Sequence, residues 1–257
     1  MVFVRATLGL GEVMSNESTG LMYFALHHKC GNTYFKKALT EFSELSVDPA
    51  FEFATLLPGR AATASFHCPT LVRLRNFSLR HLLLLPQPAK VVACKRDPRG
   101  LIVSCTDYHR RGSEAWTTAP DQRYGGMSYQ ALLNSAPSEE DAFILSMKHV
   151  AGRILNNLRT LLDAPDIYFV ALEDLSWDES GKTYASLCDF LDLSSRNREL
   201  LISSLAKHSL WANLKRHGKL PKHSTGGVSD SSSQRLQGRA LREYRLLFGD
   251  LHSELGY

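Results

Sequence analysis

The sequence predicts an α/β protein with a central parallel β-sheet flanked by helices, and three observations carry that prediction. Short apolar runs alternate along the chain with segments of helical period, the order that produces a parallel sheet covered on both faces. Each apolar run closes on a cluster of polar residues, which puts the chemistry at the carboxyl ends of the strands. With 257 residues, 44% hydrophobic and 22% charged, the chain can bury the core of one large domain or at most two, and disordered, collagen-like and coiled-coil proteins are excluded. No linker or internal repeat divides it, so 1–257 reads as a single domain whose first 20 residues are poorly patterned.

The first strand is Leu21–Leu26 (LMYFAL), ending in His27-His28-Lys29-Cys30-Gly31-Asn32 and followed by a helix over 33–45. A second strand is expected over 62–66, ending at His67-Cys68-Pro69. A third over 90–94 ends in Lys95-Arg96-Asp97-Pro98, and a helix continues through 108. Apolar positions Phe143, Met147, Val150, Ile154, Leu158 and Leu161 recur at three and four residues, predicting one long amphipathic helix over 139–162 that Pro165 ends. A buried strand over 167–172, helices over 183–190 and 194–207, and a final helix over 233–248 complete the pattern. The Ser- and Gly-rich stretch 224–233 reads as a loop.

Charge and cysteine usage narrow the function classes. Thirty basic against 26 acidic residues leave +4, too little for a dedicated nucleic-acid binder but enough to gather at one anion site. The five cysteines are odd in number, scattered and without a CxxC pair, which fits a reducing, cytoplasmic setting. No run approaches the roughly 18 apolar residues of a membrane span, and the leucine run 82–85 stops at Pro86. His27, His28, Cys30, His67 and Cys68 offer metal-binding atoms, but their spacing matches no established ligand pattern.

Two constellations carry chemistry. In His28-Lys29-Cys30-Gly31-Asn32-Thr33-Tyr34, free amides at a helix start, a glycine permitting close approach and a lysine ammonium combine into an anion site. The competing reading is an ordinary strand-to-helix turn with Lys29 solvated. It is not a Walker A loop, because the lysine precedes the glycine and no second glycine lies upstream. In Lys95-Arg96-Asp97-Pro98-Arg99-Gly100, Asp97 suits an N-cap and Pro98 a first helical turn, placing Ser104 about two turns along. Alone this is a common helix start; beside a lysine loop it becomes the other half of an anion clamp.

With these residues in hand, the chain resembles the sulfotransferases that use 3′-phosphoadenosine 5′-phosphosulfate (PAPS). Lys29-Cys30-Gly31-Asn32-Thr33-Tyr34 is similar to their Lys-Ser-Gly-Thr-Thr-Trp loop, and Arg96 with Ser104 matches their arginine and the serine eight residues on. Leu172-Glu173-Asp174-Leu175 looks like their Tyr-Glu-Asp-Leu segment, and Arg216-His217-Gly218 like their late Arg-x-Gly loop. Cys30, Asn32 and Leu172 depart from the pattern. The resemblance implies a P-loop-like nucleotide fold in which Lys29, the backbone of Cys30, Gly31 and Asn32, and Thr33 hold the 5′-phosphosulfate. It implies that Tyr34 stacks on adenine and that Arg96, Ser104 and Arg216, with His217 and Gly218, hold the 3′-phosphate. No metal is required.

Sulfuryl transfer also needs a base. By resemblance to a Thr-His-x-Pro segment, His67 is the first candidate, against a histidine that merely caps a strand; Glu52 is the runner-up, against an exposed edge-strand carboxylate. Trp116, Tyr124, Tyr129 and Trp211 either line an acceptor pocket or pack in the core, and Arg235, Arg239 and Arg242 read as a solvated helix face in preference to one turned to the cofactor or an acidic acceptor. The expected partner is a small-molecule acceptor rather than nucleic acid or membrane, with monomer and homodimer both open. The alternatives are a P-loop phosphotransferase and an inactive nucleotide-binding module of the same fold.

Overall fold

The computed structural model describes residues 21–47, 50–56, 69–75, 77–85, 89–164, 166–218 and 233–257. Five strands, β1 (Leu21–Leu26), β2 (Glu52–Leu56), β3 (Thr70–Arg75), β4 (Lys90–Lys95) and β5 (Ile167–Ala171), form one sheet in the order β2-β3-β1-β4-β5. Every pairing is parallel. β1 is buried along its whole length because both faces are covered: Met22, Phe24 and Leu26 enter one apolar cluster, Leu21, Tyr23 and Ala25 the other.

Helices α1 (Asn32–Leu45), α2 (Leu79–Leu82), α3 (Pro98–Arg111), α4 (Ala115–Thr118), α5 (Tyr129–Asn134), α6 (Glu139–Lys148) and α7 (Val150–Leu162) precede β5. After it come α8 (Leu172–Trp177), α9 (Lys182–Leu191), α10 (Ser195–His208), α11 (Leu210–His217), α12 (Gly238–Phe248) and α13 (Leu251–Glu254). Phe35, Ala38, Leu39 and Phe42 make the buried stripe of α1, the spacing an amphipathic helix needs to cover a sheet. Side chains cap several starts: Asp97 accepts from the Arg99 amide at 2.9 Å, and Ser138 from the Asp141 amide at 3.1 Å.

Two expectations change. The stretch 139–162 is two helices, because the backbone breaks at His149 (φ −116°, ψ −88°). There α7 comes so close to α6 that a Cβ on Gly152 would lie 1.9 Å from the Met147 carbonyl oxygen. The last long helix starts at Gly238 rather than at 233. The arginine stripe is exposed, as expected, and partly paired at the surface: Arg235 with Asp107 at 2.7 Å and with Glu139, and Arg239 with Asp141. The strand expected over 62–66 lies outside the described residues, and β3, which the sequence reading passed over, is the neighbour of β1.

The strand order places the site. From β1 the chain crosses toward β2 and β3; from β4 it crosses to β5 on the other side. The carboxyl ends of β1 and β4 therefore flank a crevice at the point where the connections diverge, where open α/β sheets bind ligands.

Candidate functional site

The loop after β1 turns tightly to reach α1. The Cys30 amide donates to the His27 carbonyl at 3.1 Å, and the Asn32 side-chain amide donates to the same carbonyl at 2.7 Å. Lys29 (φ 63°) and Gly31 (φ 75°) both take left-handed backbone. Only glycine suits position 31, since a Cβ would meet Leu172 Cδ1 at 3.2 Å, Phe35 Cδ2 at 3.3 Å and Cys94 Sγ at 3.4 Å. No side chain caps α1, so its first turn faces the crevice with amide donors and the positive end of the helix dipole. Lys29 sits at this turn, half-buried, with Nζ 4.3 Å from the centre of the Tyr108 ring. Burial lowers its pKa below the ordinary lysine value, with Arg96 adding to the shift and Glu114 and Asp107 opposing it.

The loop after β4 reaches across to the first. Arg96 donates through Nη1 to the Lys29 carbonyl at 3.1 Å, and its Nε lies 4.0 Å from Glu173 Oε1. Glu173, just past β5, also accepts from the Asp97 amide at 3.2 Å and from the Tyr257 hydroxyl at 2.7 Å. Burial, reinforced by that carboxylate, pushes the Tyr257 phenol well above its usual pKa. One carboxylate thus ties the ends of β4 and β5 to the last residue of the chain.

The remaining residues singled out from sequence fall in several places. Thr33 is exposed and lines a groove of about 780 Å³ with Lys36, Lys37 and Lys207. Tyr34 is half-buried and donates its hydroxyl to the Leu205 carbonyl on α10 at 3.0 Å. Cys30 is buried, which pushes its thiol up and leaves it inert. Ser104 is buried in α3 at 1% exposure. Arg216 and His217 are exposed at the end of α11, which Gly218 (φ 62°) closes; Arg216 donates to the Lys207 carbonyl, and among the described residues no contact joins it to Lys29 or Arg96. Glu52 is exposed at the start of edge strand β2. Its register partner is Thr70, whose partner in turn is Leu21, so Glu52 is level with the amino end of β1, five residues or roughly 16 Å from the end that leads to Lys29. His67 lies outside the described residues.

Of the wall beside Lys29, sequence reading singled out Trp116 and Tyr129 but not Tyr108 or His109. His28 stacks on His109 of α3 with ring centres 4.9 Å apart and planes 17° apart, and meets the Tyr108 ring at 5.2 Å. Trp116 and Tyr129 continue the wall, 5.0 and 5.4 Å from His109. Tyr124 and Tyr129 belong to the core, whereas Trp116 is 45% exposed. Trp211 lies elsewhere, edge-on to Trp177 at 6.3 Å. Glu114 accepts from the Tyr108 hydroxyl at 3.1 Å and from Trp116 Nε1 at 2.8 Å. His109 is fully buried, and burial, followed by the nearby His28 and Lys29, pulls its pKa down to about 3, leaving a neutral imidazole.

No family model matches the chain, and no curated protein matches it in sequence. Among solved structures it superposes on a mouse sulfotransferase, SULT7A1, complexed with PAP: TM-score 0.55, 12% identity, 93% of this chain and 89% of that one. The fold is that of the sulfotransferases. A retinol dehydratase complexed with androsterone and the inactive cofactor PAP matches at TM-score 0.53 and 13% identity, over 91% of this chain and 80% of that one. The all-parallel sheet expected from sequence is therefore the sheet of a sulfotransferase fold, with the Lys29 and Arg96 loops meeting at its crevice. Among the described residues of this sulfotransferase fold, no helix is long and apolar enough to cross a membrane.

Proposed function

We propose that the chain transfers a sulfuryl group from PAPS to a hydroxyl, or to an amine nitrogen, of a small-molecule acceptor. The observation that carries this reading is the junction of the two loops. An uncapped helix start and a lysine ammonium lie at the crevice, fixed by the 3.1 Å bond from Arg96 to the Lys29 carbonyl, in a fold shared with two proteins crystallised with PAP.

Sulfuryl transfer, like phosphoryl transfer, asks the protein chiefly to align donor and acceptor and to neutralise the leaving phosphate. Lys29, the backbone at Cys30, Gly31 and Asn32, and Thr33 would take the 5′ side of the cofactor. Arg96, Ser104 and the segment Arg216, His217, Gly218 would take the 3′-phosphate, and Tyr34 the base. The retinol dehydratase accommodates androsterone, and the ring wall ending in half-exposed Trp116 suits an acceptor of that small, largely apolar kind. His67 is the base that the resemblance implies.

Calorimetry with PAP beside ADP tests the reading. PAP should bind at least tenfold more tightly, the value of about 1.4 kcal/mol for contacts to the 3′-phosphate. Equal, weak binding of the two would overturn the PAPS assignment in favour of a nucleotide phosphotransferase.

A further inference from the structure

This inference rests on the sulfuryl-transfer reading. When an acceptor hydroxyl attacks sulfur, its proton must leave toward a base beside the sulfur, and the sulfur must lie beside the ammonium that receives the leaving phosphate. The Lys29 ammonium rests 4.3 Å from the centre of the Tyr108 ring, and the His28 ring meets that same ring at 5.2 Å. His28 is half-buried, with its Nε2 covered, whereas His27 and His109 are fully buried. Glu52 is level with the other end of β1.

We propose that His28 is the catalytic base and Glu114 its positioning residue. The acceptor oxygen forms a bond to sulfur as the bond from sulfur to the 5′-phosphate oxygen breaks. The acceptor proton passes to an imidazole nitrogen of His28, and the electron pair of the broken bond stays on the phosphate oxygen, opposite Lys29. The imidazolium then releases its proton to solvent. A His28 ring nitrogen and a Glu114 carboxylate oxygen lie within 4.8 Å of one another, close enough for the carboxylate to favour the imidazolium. Glu114 is itself held by Tyr108 and Trp116, and the stacked His109 ring sets the plane of His28. The titratable groups facing His28 are Lys29 from its own loop, Tyr108 and His109 from α3, and Glu114 from the turn after α3.

His28, His109 and Glu114 also have the composition of a metal site, their donor atoms all lying within 4.8 Å of one another. The geometry favours proton transfer over a cation. Imidazole rings stacked at 17° aim their lone pairs side by side instead of at one point, and the Lys29 ammonium already supplies positive charge.

The test joins a titration that needs no acceptor to a transfer assay. The carbon-bound ring proton of His28 is followed by NMR against pH, with and without PAP; PAP binding should raise the His28 pKa, because adjacent phosphate charge favours the imidazolium. With PAPS and a panel of phenols and alcohols, His28→Gln should bind PAP as before and lose transfer by about 10²- to 10⁴-fold. Glu114→Gln should move the acid limb of kcat/KM to lower pH, and Glu114→Asp should restore part of that shift. PAP that binds without moving the His28 titration overturns the proposal, as does transfer lost in His67→Gln but retained in His28→Gln. If PAP does not bind the native chain at all, the sulfuryl-transfer reading itself fails and this proposal falls with it.

Discussion

Lys29 combines a functional side chain with an unfavourable backbone. At φ 63° a residue with a Cβ is strained by about 1 kcal/mol, which glycine relieves. Lys29→Gly should therefore leave the thermal midpoint level or slightly raised, while PAP affinity in calorimetry falls about 10- to 100-fold for the lost charged contact. Gly31 is the converse. Gly31→Ala meets both a left-handed backbone and three neighbours between 3.2 and 3.4 Å, and should cost about 1–3 kcal/mol in urea unfolding. Lys29, Gly31 and Arg96 were legible in sequence because a strand end, a glycine and a helix start are local signals. A role for His28 as a base was not, since that proposal draws on Tyr108, His109 and Glu114, about eighty residues away and brought near by the pairing of β1 with β4.

Elements show where periodicity informs and where it misleads. The apolar stripe over 139–162 is the same for one helix or two, because α7 resumes the stripe of α6 after the break at His149; Gly152 is the single local hint. Gly152→Ala should lower stability by at least about 3 kcal/mol by denaturant titration, because the added methyl has no space against Met147. Strand β3 was missed because two arginines interrupt its apolar run. Arg73 is buried there nonetheless, donating to Thr55 Oγ1 at 3.2 Å and to the Asn32 carbonyl at 3.3 Å. At the start of α9, burial tends to raise the Asp178 pKa, but hydrogen bonds from Ser180 and from the amides of Thr183, Tyr184 and Gly181 outweigh it and hold the carboxyl below its ordinary value. Its folded pKa being the lower, Asp178 contributes fully at neutral pH, and the contribution fades as pH falls below about 3.9 toward the folded value. Asp178→Ala should cost about 1 kcal/mol at pH 7, and urea unfolding should show the difference shrinking between pH 4 and lower values.

At the scale of the whole molecule, Glu173 joins parts distant in sequence: the β4 loop through Arg96 and Asp97, and the chain's last residue through Tyr257. Glu173→Ala removes the ion-pair partner of Arg96 and strands an amide and a hydroxyl without their acceptor, and should lower stability by about 3 kcal/mol, seen as a lower urea midpoint with unchanged slope. The alternation of strands and helices made the architecture readable, while the order β2-β3-β1-β4-β5 was not, since no local pattern says which strands will be neighbours. The long polar side chains around the crevice share one habit. Arg96 holds the Lys29 carbonyl, Asn32 that of His27, Arg73 that of Asn32, Tyr34 that of Leu205 and Lys95 that of Leu255. A main-chain oxygen is present whatever residue carries it, so each grip survives substitution of the residue gripped. A scaffold fastened in this way tolerates extensive drift in its loop sequences, in keeping with a fold held in common at 12% identity.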